Sequence, residues 1–194
     1  MVQSYAYDSV IVGSGPNGLA AAITMAQNGC SVAVFEAEEN IGGSVRSADL
    51  TLPGFVHDIC SAVYPLAIGS PFFRSLPLAQ HGLEWVQPPA ALAHPLDDGT
   101  AVTLERSIAE TASALGSDRD AYRKLMSPLI ANWDGLDADL LGPPRVPRHP
   151  WNFTRFRLLA IQPTRRLAES RFQNARARAL FADLAAHSML PLEK

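Results

Sequence analysis

Residues 7–47 read YDSVIVGSGPNGLAAAITMAQNGCSVAVFEAEENIGGSVRS, and this stretch decides the fold of the 194-residue chain. The apolar run 10–12 (VIV) ends directly on Gly13, and the residues from Gly13 to Gly18 fit the pattern G-x-G-x-x-G. A short apolar run that ends on glycine is typical of a buried strand that leaves a sheet through a tight turn. The first part of the stretch therefore predicts a strand followed by a glycine turn.

The second part of the stretch predicts a helix and another strand. Small and apolar residues recur at helical spacing from Leu19 to Ala26, and Gly29 stands where glycine commonly follows the end of a helix. The run 31–35 (SVAVF) is rich in β-branched and apolar residues, and Glu36 closes it. The order strand, glycine turn, helix, strand is that of a Rossmann-like βαβ unit.

The glycine turn suits a dinucleotide. Gly13 permits the tight turn, Gly15 lets the backbone approach a pyrophosphate, and Gly18 lets the helix pack on the strand. Pro16 suits a first helical turn, since its missing N–H would have no partner there. The helix N-terminus offers free N–H groups to the phosphates. With the intervening positions, the predicted cofactor-binding residues here are Gly13, Ser14, Gly15, Pro16, Asn17 and Gly18.

An acidic residue closes the predicted second strand. Glu36 follows Gly18 by 18 residues, which places its carboxylate where it can accept hydrogen bonds from ribose hydroxyls. An acid at this point disfavours a 2′-phosphate, so NAD or FAD is favoured over NADP. We include Glu36 and the adjacent Ala37 in the predicted site.

A second glycine pair, Gly42-Gly43, comes six residues after Glu36. The G-x-G-x-x-G motif followed by E-x-x-x-x-x-G-G resembles flavoproteins of the phytoene-desaturase and amine-oxidase superfamily. The continuation 52–58 (LPGFVHD) looks like the phytoene-dehydrogenase-like branch. The resemblance implies FAD as the cofactor, with Gly42 and Gly43 passing close to it and with Ser44, Arg46 and Ser47 as nearby donors.

The same resemblance implies a reaction. Phytoene-desaturase-like enzymes act on hydrophobic polyenes or related lipids, and they move a hydride from the substrate to non-covalently bound FAD. We therefore expect a hydrophobic small-molecule substrate. His57 and Asp58 either lie near the flavin ring or belong to a solvated loop, and the sequence identifies no catalytic residue.

The fold class is α/β. We expect an FAD-binding Rossmann-like portion over residues 1–75 and the start of a substrate-binding or cap region over 76–194. In the second region, alternating residues predict short antiparallel strands at 83–86, 92–94 and 101–104. Helices follow, the first capped by Ser107 and the next by Ser117 with Asp120 at its third position. Pro128 is expected to kink or divide the second of these.

Composition excludes several classes of protein. The chain is 47% hydrophobic and 18% charged, which indicates a packed core, and its two cysteines make no disulfide framework. We expect a cytoplasmic protein, with peripheral membrane contact as an alternative because residues 145–194 carry a net charge of +7. Neither a nucleic-acid partner nor a metal site is predicted, since His94 has no second ligand at useful spacing.

Length leaves the function open. The superfamily's FAD domain is completed by a late segment, usually with a G-D or G-E element, that residues 48–194 do not supply. A βαβ unit also cannot cover both faces of its sheet. The chain is thus either part of an enzyme that needs a further segment or a second chain, or a non-catalytic dinucleotide-binding module. A small NAD-binding protein is a third interpretation, which the pair Gly42-Gly43 disfavours.

Overall fold

The computed structural model describes residues 6–193, and the chain divides after Leu66 into two compact units. The first unit starts with the predicted βαβ arrangement: strand β1 (Ser9–Val12), helix α1 (Pro16–Gln27) and strand β2 (Val32–Phe35). The two strands are parallel, with Val10 opposite Ala33 and Val12 opposite Phe35. Helix α1 ends at Gln27 with Asn28 as its C-cap. Gly29 then takes a positive φ of 84°, and its N–H donates to the carbonyl of Ala26 at 3.0 Å.

The two-stranded sheet has one covered face and one open face. Ile11 is half-buried and lies on the side of helix α1, where its Cγ2 approaches Gly18. On the opposite side Val10 is 54% exposed, Val12 87% and Phe35 60%. Consecutive strand residues point to opposite faces, so this apolar row is the second face of the sheet, and more than half of each of these three side chains is exposed.

The rest of the first unit contains short regular elements. A 3-10 turn (Gly43–Val45) leads into an antiparallel hairpin of strands β3 (Ser47–Asp49) and β4 (Val56–Asp58). Three residues pair on each side, too few to give a visible alternation of apolar and polar positions. The turn between them contains Gly54 at a φ of 85°.

The second unit begins at Ala67 and combines one β-hairpin with helices. Helix α2 (Pro65–Gly69) lies across the division. The remaining elements, in chain order, are α3 (Pro71–Ser75), β5 (Ala90–Pro95), β6 (Ala101–Glu105), α4 (Ile108–Ser113), α5 (Arg119–Ala131), α6 (Trp133–Leu140), α7 (Pro150–Ala160), α8 (Thr164–Arg171) and α9 (Ala175–Ala186).

Strands β5 and β6 pack against helices α4 and α9, and helices α5 and α8 contribute to the same main core. The largest buried side chains there are Phe172 at 1% exposure, Leu115 and Val102 at 0%, and Leu180 at 1%. The antiparallel pair β5–β6 confirms the predicted small sheet. Its connection includes Gly99 at a φ of 79°, a backbone conformation that suits glycine in a tight turn.

Two local predictions were wrong. Residues 83–86 form no strand, because the following Gln87 leads into Pro88-Pro89, which have no N–H to donate to a ladder. Ser117 does not cap helix α5. The residue at the N-cap is Asp118, and its carboxylate turns away to accept N–H bonds from Gln173 (2.9 Å) and Asn174 (2.7 Å). Pro128 lies within α5, which continues to Ala131, and the expected kink stays a prediction.

No helix within residues 6–193 is long and apolar enough to cross a membrane.

Candidate dinucleotide site

The glycine turn between β1 and α1 depends on residues without side chains. Gly13 has a φ of 93°, a conformation that other residues rarely adopt, and its N–H donates to the carbonyl of Phe35 at 2.7 Å. A Cβ built on Gly18 would lie 2.1 Å from the carbonyl oxygen of Gly13. The turn therefore closes directly onto the first turn of α1, as predicted for the third glycine of the motif.

Helix α1 begins at this turn with an open N-terminus. Gly15 is the N-cap, Pro16 occupies the first turn, and no described side chain caps the helix. The N–H groups of a first turn have no partner within the helix, and they carry the positive end of its dipole. Asn17 is exposed at the same end. This end of α1 can accept an anion such as a phosphate.

The second glycine pair lies against the first motif. The N–H of Gly42 donates to the carbonyl of Ser14 at 3.1 Å, and both Gly42 (φ 113°) and Gly43 (φ 58°) have left-handed backbones. A Cβ on Gly43 would lie 3.0 Å from the Cα of Gly15, at the limit of how closely real side chains come. The two glycine motifs therefore meet backbone to backbone.

The carboxylate of Glu36 is held by four donors. Its Oε2 accepts from the N–H of Ser14 at 2.7 Å and from the Ser14 hydroxyl at 2.6 Å. Its Oε1 accepts from the N–H of Ala37 at 2.9 Å and of Glu38 at 3.0 Å. The Ser14 hydroxyl, followed by the backbone donors, lowers the pKa of Glu36 to about 2, so this group is a carboxylate at neutral pH.

The predicted donors beyond the glycine pair have mostly local partners. Arg46 donates through Nε to the carbonyl of Gly43 at 2.9 Å, and its guanidinium lies 3.8 Å from a carboxylate oxygen of Glu38. Ser44 is exposed. The Ser47 hydroxyl donates to Asp58 at 2.9 Å. Arg46 thus supports the backbone of the glycine pair.

His57 also has a neighbour within the β3–β4 hairpin. Its Nε2 lies 2.8 Å from the Thr51 hydroxyl, and its hairpin neighbour Asp58 is the acceptor for Ser47. Both side chains therefore have local partners, which favours a polar hairpin surface over a role at the flavin ring.

The structure brings the predicted residues of three separate segments together. The glycine turn, Glu36 and the pair Gly42-Gly43 all meet at Ser14, which is 1% exposed. Sequence reasoning included Ser14 only as an unspecified motif position and gave no role to its hydroxyl. The one available signal was a hydroxyl between two glycines, which the motif pattern does not require.

These residues fit a dinucleotide such as FAD. Gly15 and Gly43 lie against each other without side chains beside the uncapped end of α1, and the second glycine of such a motif is where the backbone approaches a pyrophosphate. An ionised carboxylate stands at the end of β2. Within residues 6–193 no cluster of metal-ligating side chains is present.

Comparisons with known proteins agree with this site. A family model described as an NAD(P)-binding Rossmann-like domain matches residues 11–74, which include the whole glycine and Glu36 arrangement. A mouse protein named pyridine nucleotide-disulfide oxidoreductase domain-containing protein 2 is 35% identical over 123 residues, which is 62% of this chain and 20% of that one. One of the subunits of limonene dehydrogenase from Castellaniella defragrans is 29% identical over 118 residues, 60% of this chain and 21% of that one.

Solved structures give the same result. A mutant of putrescine oxidase, from a structure-based redesign of its cofactor binding, matches with a TM-score of 0.55 and 26% identity. The match covers 96% of this chain and 39% of that one. The chain therefore spans about a fifth of the length of the curated relatives it matches, and well under half of this structure.

The predicted fold class is confirmed: the chain is α/β, with a Rossmann-like dinucleotide-binding region, small antiparallel sheets and helices. The matches also support a relationship of the chain to a superfamily of FAD-dependent oxidoreductases. They support FAD as the cofactor that this fold suits.

Proposed function

We propose that this chain is the FAD-binding part of an oxidoreductase of the phytoene-dehydrogenase-like kind, which removes a hydride from an apolar substrate. The observation that carries the proposal is the contact between the two glycine motifs at Gly15 and Gly43. It makes a single bare backbone surface next to the N-terminus of α1. A single glycine motif would serve NAD as well, whereas the second pair extends the bare surface beyond the first phosphate-binding turn.

Each group of residues has a separate task in this proposal. The turn from Gly13 to Gly18 and the end of α1 bind the diphosphate, and Glu36 orients the adenosine ribose. Gly42 and Gly43 let the chain run along the cofactor, and Arg46 holds that backbone through the Gly43 carbonyl. When bound, FAD supplies the hydride-accepting ring, while the protein supplies position and surroundings.

The proposed substrate is an apolar polyene or a related lipid-like molecule. Support comes from the sequence resemblance to phytoene-dehydrogenase-like enzymes and from the relative named limonene dehydrogenase, since limonene is an apolar hydrocarbon. The structural neighbour named putrescine oxidase points to an amine instead. The apolar substrate is the better supported of the two, because the 52–58 segment (LPGFVHD) belongs to the resemblance with the former group.

A further segment or a second chain is proposed to complete the site. The open face of the β1–β2 sheet exposes Val10, Val12 and Phe35, an apolar row that a complete Rossmann-like sheet would cover. The limonene dehydrogenase relative is itself named as a subunit. The second candidate is a non-catalytic dinucleotide-binding module, which is favoured by the local partners that His57 and Asp58 have within their own hairpin.

An anaerobic reduction experiment separates the two candidates. The purified chain is loaded with FAD and mixed with limonene or with a long-chain polyene, and the visible flavin absorbance is followed. Bleaching with formation of a dehydrogenated product supports the oxidoreductase. The experiment is repeated with the chain co-expressed with the remaining part of a relative. If FAD stays bound and oxidised with every substrate in both samples, the binding module is favoured.

A further inference from the structure

Ser14 is a polar side chain buried at the meeting point of the site. It is 1% exposed, and its hydroxyl donates to Oε2 of Glu36 at 2.6 Å. Its own N–H donates to the same oxygen at 2.7 Å. On its other side, the N–H of Gly42 lies 3.1 Å from the Ser14 carbonyl oxygen and 3.4 Å from its hydroxyl oxygen.

The four donors to Glu36 are not equivalent. Ala37 and Glu38 lie next to it in the chain, so their N–H groups move with Glu36 and fix the carboxylate only relative to its own segment. Ser14 lies 22 residues earlier, in the glycine turn. It is therefore the residue that fixes the carboxylate relative to the diphosphate-binding turn.

A long acidic side chain needs such an anchor. Glu36 is only half-buried, so packing alone does not select one rotamer. Holding a flexible side chain for a ligand costs conformational entropy, and a contact that fixes it beforehand removes this cost from the binding step. The N–H and the hydroxyl of Ser14 both provide this contact, and glycine or alanine at this motif position would keep only the N–H.

We propose that Ser14 is a positioning residue for ribose recognition: its hydroxyl presets the Glu36 carboxylate for the vicinal hydroxyls of the adenosine ribose. Its carbonyl and hydroxyl oxygens also hold the amide of Gly42, so one residue aligns the acid and the second glycine pair with the turn. The inference rests on the proposed function, because it assumes that a dinucleotide occupies this site.

The test compares two ligands that differ in one hydroxyl. ADP and 2′-deoxy-ADP are titrated into the full 194-residue chain, and amide NMR shifts give both dissociation constants. Wild type is expected to prefer ADP, and Ser14→Ala is expected to lower that preference by about three- to tenfold, the usual range for one hydrogen bond. Ser14→Thr keeps the hydroxyl and is expected to keep the preference.

A matched control removes a hydroxyl that touches no part of the site. Thr24 lies on α1 and donates to the carbonyl of Ala20 at 2.8 Å, so Thr24→Ala should leave the preference unchanged. If Ser14 had a purely structural role, Ser14→Ala would weaken the binding of both ligands equally and would not change the ratio of their dissociation constants. Hydrogen exchange of the β1 and β2 amides shows whether each variant retains its fold.

A double-mutant cycle identifies the route of the effect. Glu36→Gln is expected to remove the preference by itself, and adding Ser14→Ala to Glu36→Gln should change the ratio no further. If the two substitutions changed the preference for ADP independently, so that their effects multiplied in the double variant, the inference would be overturned. It would also be overturned if folded Ser14→Ala kept the wild-type ratio of the two dissociation constants. A folded wild-type chain that binds neither ligand would overturn the proposed function, and the role of Ser14 with it.

Discussion

Two glycine-to-alanine substitutions in the same turn are expected to fail in different ways. At Gly18 an added Cβ lies 2.1 Å from the Gly13 carbonyl oxygen, and about 3.0 Å is the closest approach that real Cβ atoms show. The turn must therefore move by about 0.9 Å, although the 2.7 Å bond from the Gly13 N–H to Phe35 anchors it. At Gly15 the nearest atom to an added Cβ is the Cα of Gly43, at 4.0 Å, which is ordinary contact.

The magnitudes follow from this geometry. Overpacking a tight site costs about 1–3 kcal/mol, and the backbone clash at Gly18 belongs at the upper end of that range. Alanine recovers up to about 1 kcal/mol of helix propensity relative to glycine. Gly18→Ala should therefore destabilise the first unit by about 2 kcal/mol, which corresponds to about 30-fold faster exchange of protected amides. Gly15→Ala should leave exchange unchanged.

The assay measures stability and binding in the same samples. Tryptophan fluorescence would not report on the first unit, because Trp85, Trp133 and Trp151 all lie in the second unit. The stability of the first unit is therefore measured by hydrogen exchange of the β1 and β2 amides. A titration with FAD reports the site. Gly15→Ala should weaken FAD by at least about tenfold, since its methyl group stands where the diphosphate must approach. Equal exchange in Gly18→Ala and wild type, or unchanged FAD affinity in Gly15→Ala, would refute this explanation of the turn.

Three further predictions concern acid, charge and packing. The pKa of Glu36 is lowered from 4.5 to about 2, so its contribution to stability should be full above pH 4.5 and disappear as the pH falls towards 2. In chemical denaturation, the free energies of unfolding of Glu36→Gln and wild type should converge over that pH range, and a constant difference would contradict this. Arg74→Met leaves the fully buried carboxylate of Asp137 without its 2.6 Å partner and should lower the free energy of unfolding by about 2 kcal/mol. This value is below the usual cost of breaking a buried pair because Arg74 is half-exposed. The double variant with Asp137→Leu should recover part of this loss in urea unfolding, and no recovery would contradict the pairing. Phe172→Ala empties a site that is 1% exposed and should cost about 3–5 kcal/mol, whereas a loss below about 1 kcal/mol would mean that the core of the second unit is misplaced.

The first unit could be predicted because its signals are local. The strand 10–12, the turn at Gly13 and the helix after Pro16 follow one another without a long connection, and each glycine has one steric reason to be there. The same applies to the predicted Ser107 cap of α4, whose hydroxyl accepts from the N–H of Glu110 at 3.0 Å. Where a residue's role is decided by its neighbours in the chain, the sequence suffices.

Contacts across long stretches of chain could not be predicted. Asp118 has the spacing of a helix cap, yet it binds the backbone at Gln173, 55 residues later. The role of the Ser14 hydroxyl could not be predicted for the same reason, because it meets its partner Glu36 only when β1 and β2 are paired. Residues 83–86 alternate like a strand but pair with no strand among the described residues. Peripheral membrane contact and the domain boundary at residue 75 stay predictions.

Equilibrium binding of FAD to the 194-residue chain tests the central claim most directly. Visible absorption and flavin fluorescence are followed as the folded chain is added to FAD, with Gly15→Ala as the matched variant. We expect saturable binding at one site per chain in the wild type, strongly weakened in the variant. A folded wild-type chain that leaves both signals unchanged would contradict the claim that the two glycine motifs and Glu36 hold this cofactor.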